Sequence, residues 1–295
     1  MNESTVLVLH RKSADEPRVK EAVKKAKKMG CEFRVLVPFN KAEKGRVVAE
    51  AIANGANRII AGGGDGTING VANALVGNGE TKPRVAMGIC PLGTANDFAR
   101  GCGLPAEDLA ECLRIACERQ PRAIDVGVLN GRAFVNVASL GFGAEITATT
   151  PIELKKALGG AAYSLMGLVR AMDLTPYPAR LIVPGETTEE GSFLFAAVGN
   201  NHFAGGGFDI APRAQIDDGL LDLTAIRLDK GVNLASIKNE FDDPMNPENS
   251  HVLYRQLAEF TIESDQKLHC NLDGEPVKKK RLRFSVLPSH LQVVF

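Results

Sequence analysis

Arg58-Ile59-Ile60-Ala61-Gly62-Gly63-Gly64-Asp65-Gly66-Thr67-Ile68-Asn69-Gly70 is the stretch that decides the fold. Its first four residues make a short apolar strand. After Thr67 the apolar residues fall at Ile68, Val71, Ala72, Leu75 and Val76, one face of a helix. The glycines therefore join a strand to a helix. Such a turn has no side chains to block close approach, and it aims backbone N–H groups and a helix N-terminus at an anion, for which phosphate is the natural guest. On these residues alone the turn also reads as a tight βα connection in which Asp65 only caps the helix.

A second unit of the same design follows. Residues 85–90 read as a strand, Pro91 and Gly93 break it, and Thr94, Asn96 and Asp97 are helix-capping types. Plain capping explains this segment by itself. Two such loops after neighbouring strands of an open α/β sheet share one crevice, where ligands bind.

Working outward, strand and helix alternate from residue 5 to about 120: strands at 5–10 and 32–37, helices at 19–29 and 47–53, then the two loop units. This is doubly wound α/β order. Beyond Arg122 strands dominate, at 123–129, 132–137, 180–183, 193–198, 221–227, 260–263, 267–272 and 282–287. Asn130-Gly131 is a strong hairpin turn between the first two, and a helical insertion is expected around 152–172. The reading is an α/β domain at 1–122, with 288–295 as a candidate returning strand, and a β-rich domain at 123–287.

Two acidic segments lie in the β-rich half. Asp217, Asp218 and Asp222 crowd carboxylates beside Gly219, which a hard cation with oxygen ligands would relieve, or which a solvated turn would leave in water. Asp273 and Glu275 flank Gly274 in Leu-Asp-Gly-Glu-Pro, which by itself reads as an ordinary hairpin loop.

The 295 residues suggest two domains, and 44% hydrophobic content supplies their cores. Lys plus Arg equals Asp plus Glu at 35 each, so bulk charge calls for no nucleic-acid partner. The six cysteines lack zinc-type pairing and read as mostly reduced core residues. No segment approaches the roughly 20 apolar residues of a membrane span, and Met1-Asn2-Glu3 begins no signal peptide, so a cytoplasmic protein is expected.

Taken in order, the Gly-Gly-Gly-Asp-Gly-Thr turn, Pro91 to Phe98, Asp218 to Asp222 and Asn271 to Pro276 resemble the diacylglycerol kinase catalytic-domain superfamily of lipid kinases. The likeness is greatest to its YegS-like bacterial branch and runs from about Thr5 to the C-terminus, through Thr150-Pro151 to Gly160 and Gly199 to Gly207. NAD kinases and 6-phosphofructokinases share a related first turn.

The resemblance implies an N-terminal doubly wound α/β nucleotide-binding domain, a C-terminal β-sandwich-like domain, and ATP-dependent phosphorylation of a lipid hydroxyl at a membrane surface. The YegS-like branch points to phosphatidylglycerol. Diacylglycerol, or a soluble substrate of the NAD kinase sort, is the alternative. By the family pattern Gly64 to Gly70 and Thr94 would contact ATP, with Gly62 and Gly63 forming the turn. Asp273 would be the catalytic base with Glu275 fixing its geometry. Asp218 with the carbonyls of Gln215 and Leu220 would hold a second divalent cation, Mg²⁺ or Ca²⁺. Asn96 belongs to the second nucleotide loop, and Asp65 and Asp97 are candidates to hold the catalytic Mg²⁺ through water.

One departure stands out. Relatives place a threonine and a Gly-Asp-Ala stretch after the second strand, where this chain has Val37-Pro38-Phe39-Asn40-Lys41-Ala42-Glu43-Lys44. Pro38 offers no hydroxyl and no N–H. Lys41 or Lys44 is a candidate to meet phosphate in its place, although both read more simply as solvated surface lysines. Lys278-Lys279-Lys280-Arg281-Leu282-Arg283 reads equally as a membrane-facing patch and as a charged rim that keeps an edge strand in solution. His202, beside Gly205 to Gly207, is expected to hold its loop by a hydrogen bond.

Overall fold

The computed structural model describes residues 4–141, 176–227 and 234–295. The helical insertion expected at 152–172 and the motif at 150–160 lie outside them. The chain divides into two compact units. One comprises Met1–Val126, Gly131–Val135 and Leu287–Phe295, and the other Gly127–Asn130 and Asn136–Val286.

The first unit alternates strand and helix. Its elements are β1 (Thr5–Leu9), α1 (Arg11–Ala14), α2 (Pro17–Lys28), β2 (Arg34–Leu36), α3 (Lys41–Ala53), β3 (Arg58–Gly63), α4 (Asp65–Val76), β4 (Ala86–Pro91), α5 (Asp97–Gly101), α6 (Leu109–Glu118), most of β5 (Arg122–Leu129) and β6 (Arg132–Phe134). Proline at the first position starts α2, which buries Val19, Ala22 and Ala26 and leaves its lysines outside. Helix α3 begins six residues before the apolar spacing suggests. The Asn40 side chain accepts from the Glu43 N–H at 2.9 Å, and a cap of this kind starts a helix whatever its hydrophobic period.

The last strand of the chain, β15 (Glu275–Val294), ends in this unit. There Val293 and Val294 pair in parallel with Met87 and Gly88 of β4. The parallel order is β15-β4-β3-β1-β2. Because β2 lies on one side of β1 and β3 on the other, the winding reverses between β1 and β3. Leu7, Leu9, Ile60 and Phe33 pack under α2 and α6 in the core beneath.

The second unit is built on antiparallel pairing. Its elements are β7 (Val137–Leu140), β8 (Tyr177–Ile182), β9 (Glu189–Gly199), β10 (Phe203–Ala204), β11 (Phe208–Asp209), β12 (Leu221–Arg227), α7 (Leu234–Asp242), β13 (Val252–Leu257), β14 (Glu259–Leu272) and the first part of β15. The order is β13-β12-β9-β7-β14-β15. Strand β8 pairs with β9 and β14 in turn, occupying the same row as β7. Where the sequence suggests two strands at 260–263 and 267–272, one strand runs through. A bulge between Glu263 and Leu268 absorbs the break in alternation. Phe195, Ile210, Ile226, Ile237 and Val252 form the core between α7 and the strands.

Candidate active site

The reversal between β1 and β3 puts the glycine turn at the carboxyl ends of the strands flanking the switch point, the place where open α/β sheets bind ligands. The His10 N–H donates to the Gly62 carbonyl at 2.8 Å and the Leu92 N–H to the Gly63 carbonyl at 2.9 Å, so β1 and β4 hold the turn from both sides. Gly64 is the N-cap of α4, and its carbonyl accepts from Thr67 and Ile68. The N–H groups of Asp65 and Gly66 precede the helix's own hydrogen bonding. Gly66 is exposed, whereas Thr67, Ile68 and Asn69 are buried, and the Asn69 Oδ1 accepts from Asn73 Nδ2 at 2.7 Å.

Asp65 does not cap its own helix. Its Oδ1 accepts from the Phe98 N–H at 3.1 Å, at the start of α5, which ties the two loops together. Their backbones touch: a Cβ at Gly93 would lie 2.6 Å from the Gly64 Cα. Asn96 stands in the left-handed region at φ 51°, and its side chain closes the loop on Gly93. Its Oδ1 accepts from the Gly93 N–H at 2.8 Å and its Nδ2 donates to the Gly93 carbonyl at 2.9 Å. Asn96 is thus occupied in shaping the turn. Thr94 at its tip is exposed, and Asp97 is buried.

Lys44 is not a solvated surface lysine. It is 8% exposed, and its ammonium lies 2.9 Å from the point where a Cβ on Gly70 would stand, so α3 packs its lysine into the gap that glycine leaves on α4.

In the second unit Asp273 and Gly274 form the two-residue turn between β14 and β15, with Leu272 paired to Glu275 across it. Both turn residues have positive φ, 48° and 91°, as such hairpins require. This is the hairpin loop that its sequence suggests, but its carboxylate is buried, at 7% exposure. Asp273 Oδ1 accepts from the Val137 N–H at 2.8 Å and the Asn136 N–H at 3.2 Å, and the Asp273 N–H donates back to the Val137 carbonyl at 3.2 Å. The turn thus holds a carboxylate that is buried and oriented by backbone donors. The donors carry no sequence signal, being backbone groups more than a hundred positions away. Glu275 is half-buried at the first position of β15.

The three carboxylates at 217, 218 and 222 do not form one cluster. Asp217 and Asp218 are exposed, whereas Asp222 is buried on β12 and bonded to the Tyr254 hydroxyl and Gln256 Nε2. Among the described residues no three His, Cys, Asp or Glu side chains converge on a metal position. The Asp218 Oδ1 instead accepts from the Leu220 N–H at 2.9 Å. Burial pushes Asp222 up to about 6, the Tyr254 hydroxyl pulls against it, and the charge of Asp218 adds to the rise. Its Oδ2 is buried with no hydrogen-bond donor among the described residues. Gln215 is exposed on the same loop.

His202 sits 3.7 Å from Asp209 across the β10–β11 loop, and that carboxylate raises its pKa, consistent with a role in holding the loop. Asp125 lies outside every motif of the sequence. It is an aspartate in the apolar run 123–128, buried on β5, whose Oδ1 accepts from the Ser289 N–H at 2.6 Å. A lone carboxylate in such a run is its available signal. All six cysteines are free thiols, and four are buried.

Against known proteins, residues 5–129 match the diacylglycerol kinase catalytic domain and residues 136–295 the YegS C-terminal NAD kinase beta sandwich-like domain. A "Probable lipid kinase YegS-like" from Chromohalobacter salexigens is 44% identical over 290 residues, covering 97% of this chain and 91% of that protein. One of the same description from Pseudomonas aeruginosa is 39% identical over 292 residues, covering 99% and 94%. A diacylglycerol kinase structure from Bacillus anthracis shares the fold, with a TM-score of 0.70 at 19% identity and coverage of 99% and 97%. With both halves matched by their own family models and near-full-length identity to these relatives, the chain belongs to the YegS-like lipid kinases of the diacylglycerol kinase catalytic-domain superfamily.

Proposed function

We propose that the protein transfers the γ-phosphoryl group of ATP to a lipid hydroxyl, with phosphatidylglycerol as the substrate and Asp273 as the base. The observation that carries this reading is the Asp273 carboxylate, buried in a left-handed turn and oriented by the Asn136 and Val137 N–H groups. A base aimed in this way takes the hydroxyl proton as the oxygen bonds to phosphorus, and Glu275 beside it fixes the approach of the hydroxyl.

The ATP phosphates lie on the N–H groups at Asp65 and Gly66, with Thr94 reaching them from the second loop. Asp65, whose Oδ1 accepts from the Phe98 N–H, and Asp97 would hold hydrated Mg²⁺. The chemistry supplied there by Mg²⁺ would be neutralisation of charge on the group in transfer. Asp218 and the carbonyls of Gln215 and Leu220 would offer a second hard cation, Mg²⁺ or Ca²⁺, donors that are all oxygen.

The enzyme works in the cytoplasm and adsorbs to the inner leaflet. Lys278, Lys279 and Lys280 are exposed in a row on β15, and each adds about 1 kcal/mol of attraction to an anionic surface. Among the described residues no helix is long and apolar enough to cross a membrane.

The test is label transfer from γ-labelled ATP with Mg²⁺ to phosphatidylglycerol, diacylglycerol and NAD in parallel, with Asp273→Asn as control. Label in phosphatidylglycerol that disappears in the variant is expected. Label in diacylglycerol alone corrects the substrate, and label in NAD, or in no lipid, overturns the reading.

A further inference from the structure

Five large apolar side chains are exposed among the described residues: Met29, Val35, Val37, Phe39 and Met245. Three of them fall close together in the chain, Val35 on β2 at 37%, and Val37 at 40% and Phe39 at 68% in the segment that leaves it. Strand β2 is the outermost of its sheet, and Val35 is in register with Leu7 of the core under α2 and α6, so the exposed apolar side chains begin at the edge of that core. It is held rigidly. Pro38 is buried, and the Phe39 N–H donates to Glu43 Oε2 at 2.7 Å, so the ring projects from a fixed stem.

The surroundings of the stripe are basic. The Arg11 guanidinium stands 5.2 Å over the Phe39 ring, the Lys27 ammonium 5.5 Å over Phe33, and Arg34 is exposed between Phe33 and Val35. Two acidic residues stand near the stripe, Glu32 and Glu43, and Glu43 is taken up by the Phe39 N–H and by Arg46. A second copy of this chain docked symmetrically would bring Arg11, Lys27 and Arg34 against their own images. An anionic bilayer accepts both features, burying the apolar side chains at the headgroup boundary and pairing the cations with lipid phosphate.

We propose that the β2 edge is an insertion surface through which the protein enters an anionic bilayer. The proposal rests on the lipid-kinase reading for the reason to meet a membrane. It adds an apolar anchor to the charge attraction of the lysines on β15, and the two respond differently to salt.

The chain has no tryptophan, so Phe39→Trp supplies a lone fluorophore. With vesicles of phosphatidylglycerol and phosphatidylcholine in equal parts, its emission is expected to move to the blue and to stay shifted when salt is raised. Val35→Ser with Val37→Ser in that background is expected to weaken vesicle binding about tenfold with the melting curve little changed. Unshifted emission overturns the proposal, as does unaltered affinity in the serine variant. A dimer in light scattering that the serine variant disperses, with vesicle affinity unchanged, overturns it in favour of a second copy. Phosphorylation of lipid without insertion sinks this inference alone, whereas insertion without phosphorylation of any lipid sinks the kinase reading alone.

Discussion

Asp273 occupies a backbone region that asparagine enters more readily than any other residue except glycine, so Asp273→Asn removes the charge without straining the turn. We expect ATP binding to persist and turnover to fall about a hundredfold or more, by single-turnover kinetics beside a nucleotide-binding titration. Alanine at the same position would add backbone strain and blur the result. A second residue-scale test concerns the contact of the two glycine loops. A Cβ at Gly93 would meet the Gly64 Cα at 2.6 Å, where neither backbone can yield without opening the loops. Gly93→Ala is expected to cost about 1–3 kcal/mol of stability and to weaken nucleotide binding, and wild-type affinity in the variant would refute the role of that contact. The glycines and Asp273 were legible as residue types. The partners that orient them were not, because backbone N–H groups look alike in every sequence.

Elements carry their own signals unevenly. Amphipathic spacing marked α2, and a turn dipeptide marked Asn130-Gly131, whose φ values of 48° and 80° are those of a tight hairpin turn. Strand β13 carries a weak signal, because Gln256 stands where its alternation calls for an apolar residue. Arg255 pairs with Glu186 and Glu189, and Gln256 with Asp222. Helix α7 is fastened to the start of β13 by Glu240. Burial opposes ionisation of that carboxyl, but hydrogen bonds from the Val252 N–H, the His251 ring and N–H, and the Ser236 hydroxyl hold it down to about 2, from 4.5. A lowered carboxyl pKa stabilises the fold above its unfolded value and loses that contribution as pH falls toward the folded one. We therefore expect Glu240→Gln to be less stable at neutral pH by about 3 kcal/mol at most, and the gap to narrow between pH 4.5 and about 2 in thermal unfolding. A gap that stays constant across that range would show that charge is not what matters.

At the scale of the molecule, the end of the chain completes the unit with which it begins. Leu291, Val293 and Val294 are fully buried, and β15 covers the edge of β4. Deleting residues 291–295 should cost about 2 kcal/mol or more for each of these side chains and leave a sheet edge open to other chains. We expect a lowered melting temperature and aggregation in light scattering, and a soluble deletion of unchanged stability would contradict this. The sequence by itself determined the alternation of strand and helix, the glycine turn, the family pattern and the free thiols. All of these depend on short-range periodicity or on the order of motifs along the chain. Only the tertiary structure decided that Asp273 is buried on Asn136 and Val137, that Lys44 lies on Gly70, that Asp222 turns to Tyr254, and that Val35, Val37 and Phe39 stand exposed at and just past an outer strand. Burial and partnership are set by residues far apart in sequence. No local pattern can encode which of two identical side chains the fold will cover.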